Sequence, residues 1–127
     1  QVATRKRKAL IVNGTDYETI DGSCVRDYLH VVDLAKSHIA ALKLVRKNKG
    51  KHAFNVGIGK GLSVLDIIRF FEEANNLSLK VECGPRRPGD IPEIYADTAY
   101  SLKFLNWRPE ISIKQAMKDA LNWELKK

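Results

Sequence analysis

AFNVGIGKGLSVLDIIRFFEEAN, residues 53–75, contains the change of periodicity on which the fold reading turns. Its first five residues, Ala53 to Gly57, form a short apolar run of the kind found in a buried strand. A glycine turn follows, Gly57-Ile58-Gly59-Lys60-Gly61. Ser63 and Asp66 then stand three apart, the spacing at which a serine hydroxyl and an acidic side chain satisfy each other's free N–H groups at a helix start. From there Leu65, Ile68, Phe70 and Phe71 supply an apolar side, so a helix is expected through Asn75. Strand, glycine turn and capped helix in succession make an α/β unit.

Toward the N-terminus, Ala9 to Asn13 (ALIVN) reads as a short strand after a basic segment. Gly14 to Cys24 is rich in turn formers, with Asp21-Gly22 as a turn. Val25 to Val31 resumes an extended pattern that puts Val25, Asp27, Leu29 and Val31 on one face. Asp33 is expected to cap a helix running to about Asn48, with Leu34, Ala35, Ile39, Leu42 and Val45 recurring on one face. Toward the C-terminus, Leu79 to Cys83 reads as a strand. Gly84 to Glu93 holds three prolines and two glycines in ten residues and can be neither helix nor central strand. Asp97 is expected to cap a third helix to about Asn106, and Ser112 a fourth to the end, with Ile113, Ala116, Met117, Ala120, Leu121 and Trp123 inward. The pattern is α/β, with four helices, several short strands and no internal repeat.

The 127 residues make one compact unit or part of a larger one. With 44% hydrophobic and 29% charged residues the composition is that of a globular protein. No apolar run approaches the ~20 residues needed to span a bilayer, which excludes a membrane-spanning helix. Gln1-Val2-Ala3-Thr4-Arg5 has neither an initiator Met nor a signal-peptide pattern, and the chain is expected to be a fragment. Cys24 and Cys83 lack metal-ligand spacing, as do His30, His38 and His52; reduced cytosolic thiols and structural histidines are expected, with no metal site. The net charge of +7 raises a nucleic-acid reading. It is carried by Arg5-Lys6-Arg7-Lys8 and by Lys43, Arg46, Lys47, Lys49 and Lys51, the latter suited to a helix C-terminus. No RNP-like strand, zinc finger or aromatic platform accompanies them, so they read as solvated surface charge and no nucleic-acid partner is expected.

Three constellations bear on chemistry. The glycine turn matches neither GxGxxG nor GxxxxGK[ST] and reads as a tight strand-to-helix connection. A Tyr-x-x-x-Lys pair, in which lysine lowers the tyrosine pKa so that it acts as a base, is absent: none of Tyr17, Tyr28, Tyr95 and Tyr100 has lysine four residues later. Arg26 follows the turn-rich loop, while Arg86 and Arg87 sit in the Pro/Gly loop that reaches Asp90. Converging, two such loops would hold a diphosphate through guanidinium groups, with a carboxylate to accept ribose hydroxyls. The alternative reading pairs Arg26 with Asp27 or Asp33 and leaves Arg86 and Arg87 solvated.

The run from Gly14 to Val31 (GTDYETIDGSCVRDYLHV) resembles the UDP-glucose 4-epimerases of the extended short-chain dehydrogenase/reductase superfamily. The segment from Arg26 to Ala35 is shared widely among sugar-nucleotide enzymes of that superfamily. The preceding Asp16-Tyr17…Asp21-Gly22 is more particular to the epimerases. Further matches follow in order at Phe54–Gly57, Ser63–Leu65, Pro85–Asp90, Tyr95–Asp97 and Leu105–Trp107. The resemblance covers the chain from about Leu10 onward. It implies the C-terminal, UDP-sugar-binding portion of such an enzyme over residues 1–127, with residues 33–57 structurally part of the cofactor domain and supplying a helix and strand that complete its Rossmann sheet. It further implies that Arg26 and Arg87 contact the diphosphate and Asp90 the uridine ribose. Ile11, Val12 and Asn13 would lie along the uracil, and Ile94 near the sugar. Members often carry an aromatic residue where Asn13 stands, and Tyr or a smaller residue where Ile94 stands. The implied activity is NAD-dependent interconversion of UDP-glucose and UDP-galactose, in which the cofactor oxidises C4 of the sugar and returns hydride to the other face. NAD and the catalytic tyrosine would belong to residues upstream of Gln1, so none of the present residues is assigned as catalytic and the 127 residues alone are expected to be inactive. The implied partners are a UDP-sugar and an N-terminal Rossmann half or companion chain, in a cytoplasmic homodimer. Another UDP-sugar epimerase or a dehydratase, or a non-catalytic nucleotide-binding module, is the alternative.

Overall fold

The computed structural model describes residues 1–127. Four strands and four helices follow in the order β1 (Leu10–Asn13), β2 (Val25–Arg26), α1 (Val31–Lys47), β3 (Leu62–Ser63), α2 (Val64–Asn75), β4 (Val81–Gly84), α3 (Ala99–Leu105) and α4 (Ile113–Leu125). The α/β expectation holds. β1 and β4 pair in parallel, Leu10 opposite Val81 through Asn13 opposite Gly84. A parallel pair needs a long crossover, and here that crossover contains α1, β3 and α2. β2 and β3 form a two-residue antiparallel pair, and Val25 makes a further bridge to Glu93. α2 packs on α4 and α1 on α3. Asn75 ties the first of these pairs, its side chain donating to the Met117 carbonyl at 3.2 Å.

The helix starts follow local chemistry. Ser63 and Asp66 make the expected reciprocal cap of α2, with the Asp66 N–H donating to the Ser63 hydroxyl at 2.9 Å. Ser112 caps α4 through the Gln115 N–H. Asp97 accepts the Ala99 N–H at 2.9 Å, one residue before the Thr98 that opens α3. α1 differs: it begins three residues earlier than expected because His30 is the cap, its Nδ1 accepting the Val32 N–H at 3.1 Å. Asp33, expected as that cap, is instead buried inside the first turn and accepts the Glu110 and Ile111 N–H groups at 3.0 and 2.9 Å. At the N-terminus, the Arg5 and Lys6 N–H groups donate to the Val2 and Gln1 carbonyls, and Arg5 is left-handed at φ +59°, the bonding pattern of a helix terminus.

Three expectations are corrected. Ala53–Gly57 is not a strand and is only partly covered; strand backbone needs a ladder partner for its N–H and C=O groups, and no strand of these residues lies beside it. The β2 strand stops at Arg26 rather than continuing to Val31. The apolar residues of α1 do share one face, as expected, and that face is open: Leu34, Ile39, Leu42 and Val45 are exposed, and Val31 is 71% exposed. Trp123 of α4, expected inward, is exposed as well. The covered positions of α1 are Asp33 and Ser37, which face α3 and the Glu110 turn.

Candidate functional site

β2 brings the two arginine loops together. The Val25 N–H donates to the Pro92 carbonyl at 2.8 Å and the Ile94 N–H returns to the Val25 carbonyl at 3.1 Å, so the Pro/Gly loop is stitched beside Arg26. Arg87 Nη2 lies 2.8 Å from Asp90 Oδ1, and Arg26 Nη2 lies 3.8 Å from the same oxygen. One carboxylate oxygen is thus shared by two guanidinium groups from separate loops. The Asp90 carboxylate is 14% exposed and the Arg87 guanidinium end 67% exposed, so the pair has a covered side and an open side. The Asp90 bond raises the Arg87 pKa further above its ordinary value. Two fixed cations around one anion leave a net positive site for a multivalent anion with several oxygens.

The expected alternative pairings do not form. Arg26 pairs with neither Asp27 nor Asp33, and Arg86, though half-exposed, is ion-paired rather than free. Arg86 Nε donates to Asp16 Oδ1 at 2.8 Å, its Nη2 donates to the Asp16 carbonyl, and its guanidinium lies 4.4 Å from the centre of the Tyr17 ring. The Arg86 bond holds the Asp16 carboxyl below its ordinary value.

Asp27 takes a role that sequence reasoning missed. Its carboxylate accepts N–H groups from Ile58 at 2.8 Å, Gly59 at 3.3 Å and Ala96 at 3.2 Å. The glycine turn therefore does present N–H groups to an anion, but the anion is the protein's own carboxylate. Gly57 is glycine because a Cβ there would collide with the Asp27 carboxylate and with Ala96. The signal was available: a turn with free N–H groups needs an acceptor, and Asp27 is the one acidic residue of the Val25–Val31 segment. Two of the turn's amides, those of Ile58 and Gly59, are thereby committed to Asp27, and the turn lacks the glycine fingerprint of a dinucleotide site.

The remaining expected site residues lie on β1 and past β2. Leu10 and Gly14 donate their N–H groups to the Lys80 and Gly84 carbonyls of the β4 segment. In a parallel ladder alternate residues bond to the same neighbour, so Ile11 and Asn13 turn their backbone groups to the open edge. Val12 is buried and offers no side chain to a ligand. A cleft of about 560 Å³ runs along that edge between β1, α2 and the N-terminal segment; Ile11 and Asn13 line it with Val2, Ile67, Phe71 and Met117. Arg26, Arg86 and Arg87 do not line it. Ile94 is half-exposed beside the Val25 ladder. No group of three metal-ligating side chains is present, and no helix is long and apolar enough to cross a membrane.

Three comparisons bear on this arrangement. Residues 1–57 match the family model described as the NAD dependent epimerase/dehydratase family. The chain is 44% identical over 124 residues to the UDP-glucose 4-epimerase of Haemophilus influenzae, covering 98% of this chain and 37% of that protein. It is 45% identical to UDP-glucose 4-epimerase 2 of Oryza sativa, covering 99% of this chain and 31% of the relative. The chain thus spans roughly a third of the length of these relatives. Among solved structures, the UDP-glucose 4-epimerase of Stenotrophomonas maltophila with bound NAD and formylated UDP-arabinopyranose superposes with a TM-score of 0.96 at 36% identity, over 99% of this chain and 38% of the other. The Bifidobacterium longum enzyme in complex with NAD+ and UDP gives 0.94 at 42% identity, over 99% and 37%.

Proposed function

Because the chain belongs to the NAD dependent epimerase/dehydratase family, we propose that it is the UDP-sugar-binding portion of a UDP-glucose 4-epimerase. The observation that carries this reading is the shared Asp90 oxygen between Arg26 and Arg87. A diphosphate entering between the guanidinium groups takes over their charge, and Asp90 is released to accept ribose hydroxyls. The Ile11 and Asn13 backbone on the open edge of β1 supplies amide and carbonyl groups for the uracil. Ile94 borders the sugar, and its apolar side chain sets the pocket volume there.

NAD and the catalytic groups lie outside these residues in this reading. Residues 33–57 belong structurally to the cofactor domain, with the exposed face of α1 and the unpaired Ala53–Gly57 segment as the parts that the rest of the protein would cover. The whole protein works as a cytoplasmic homodimer in the same proposal; the free thiols of Cys24 and Cys83 agree with a reducing compartment.

Calorimetry on the whole protein tests the site. UDP should bind in clear preference to ADP, and Arg87→Ala should weaken UDP about tenfold to a hundredfold, the effect of losing one charge-assisted contact. Equal binding of ADP and UDP, or an unaltered Kd in the variant, overturns the assignment. The 127 residues alone should not interconvert UDP-glucose and UDP-galactose, which a coupled assay reads directly.

A further inference from the structure

Arg86 is adjacent to the ligand-facing Arg87, yet all its strong contacts run to the turn-rich loop. We propose that Asp16, Tyr17 and Arg86 form a latch that holds the Pro85–Asp90 loop where Arg87 and Asp90 meet Arg26. They act as positioning residues for the anion site and do not touch its ligand. The proposal rests on the reading of Arg26, Arg87 and Asp90 given above.

The loop is tethered at few points. Its far end is stitched to β2 through Val25 and Pro92, and inside it the Asp90 N–H donates to the Arg87 carbonyl at 3.2 Å. At Gly89 a Cβ would meet nothing within 4 Å, so this side of the loop's crest opens onto free space. The near end is held by Arg86. Its guanidinium is engaged on two edges by Asp16 and on one face by the Tyr17 ring, which leaves little of it to offer a phosphate. The ring is itself a firm base. Tyr17 is buried and its N–H donates to the Gly22 carbonyl at 2.9 Å. Gly14, at φ +80°, lies against both partners: a Cβ there would come within 2.5 Å of the Tyr17 ring and 2.9 Å of Arg86 Cγ. The missing side chain at residue 14 is what lets the ring and the arginine stack.

Both charges of the latch are solvent-exposed, and an exposed pair adds little to global stability. Its contribution is instead the fraction of time the loop spends in the binding geometry, which enters the apparent affinity directly. Position and stability are therefore separable by experiment.

In the whole protein, Arg86→Ala should weaken UDP binding about threefold to tenfold, the range expected from losing an exposed ion pair and a cation–π contact. The urea midpoint should barely move, and KM for the UDP-sugar should rise with kcat nearly unchanged. Arg86→Lys, which keeps the charge but loses the bidentate fork, should weaken UDP to an intermediate degree. In an Arg87→Lys background, Arg86→Ala should have less effect than alone, because it acts through Arg87. The exchanged pair, Asp16→Arg with Arg86→Asp, should recover part of the affinity that either single change loses. An unchanged Kd in Arg86→Ala, full additivity with Arg87→Lys, or a loss matched by a fall in the urea midpoint would each overturn the latch. If Arg87→Ala weakens UDP while Arg86→Ala does not, the latch alone falls. If the unaltered protein fails to bind UDP, the functional reading falls and the latch with it.

Discussion

Asp21 illustrates how a turn residue becomes part of the framework of the site. Its carboxylate accepts the Ser23 N–H at 2.9 Å and the Ser23 hydroxyl at 2.7 Å, and the Ser63 hydroxyl donates to its other oxygen. Desolvation pushes its pKa up, but the hydrogen bonds from Ser63 and Ser23 outweigh this and hold it below the ordinary carboxylate value. A carboxyl depressed in the folded state contributes stability above its unfolded pKa of about 3.9, and loses it as pH falls through the lower folded value. Urea midpoints measured from pH 5 down to 2 should therefore fall less steeply in Asp21→Asn than in the parent. The difference should be less than about 1 kcal/mol, since the carboxyl is partly solvated. The Asp21-Gly22 turn was legible in the sequence. The tie from Asp21 to Ser63 was not, because 42 residues separate them and only the β2–β3 pairing brings them together.

Helix starts were the most legible elements, and the two serine caps allow a controlled comparison. Ser112 makes one bond, to Gln115. Ser63 accepts the Asp66 N–H and also donates to Asp21. Ser112→Ala should cost about 1 kcal/mol, the usual value of an N-cap. Ser63→Ala should cost about 2 kcal/mol, because a buried hydrogen bond is lost with the cap. Denaturant titration of both variants checks the order, and equal losses would mean that the Asp21 bond adds nothing. α1 was less legible at its start, because Asp33 has the composition of a cap while the position belongs to His30. What moved the boundary was a long-range demand: the Glu110 and Ile111 N–H groups needed a buried acceptor, and Asp33 supplied it.

Across the whole molecule the core is thin: 15 of 127 residues are buried, and five of the fifteen are Ser or Asp. The apolar side of α1, with Leu42 at 60% exposure, adds to an exposed aromatic row in which Tyr100 stacks between Phe54 and Phe104 at 5.2 and 4.4 Å. Studied as 127 residues alone, the chain should be marginally stable and should associate as concentration rises. Sedimentation velocity should show this, and Leu42→Gln with Val45→Gln should shift the distribution toward monomer while leaving the helical circular dichroism nearly intact. A monomer at all concentrations would show that the exposed α1 face is tolerated by water.

Local sequence determined the four helices, the β1 and β4 strands, the serine caps, the glycine turn and the presence of two arginine-bearing loops. Each of these depends on residues within a turn or two of one another, where backbone geometry and short-range hydrogen bonding decide. The resemblance carried by Gly14–Val31 and Pro85–Asp90 added the family. Which arginine meets which carboxylate was decided by tertiary structure alone. Sequence spacing offered Asp27 and Asp33 to Arg26, but both carboxylates are committed to backbone N–H groups of distant turns, and the Pro92–Val25–Ile94 stitching delivers Asp90 instead. A charge near in sequence loses to one that the folded chain presses closer, because buried backbone donors must be satisfied first and the side chains left over pair with whatever the packing brings within reach.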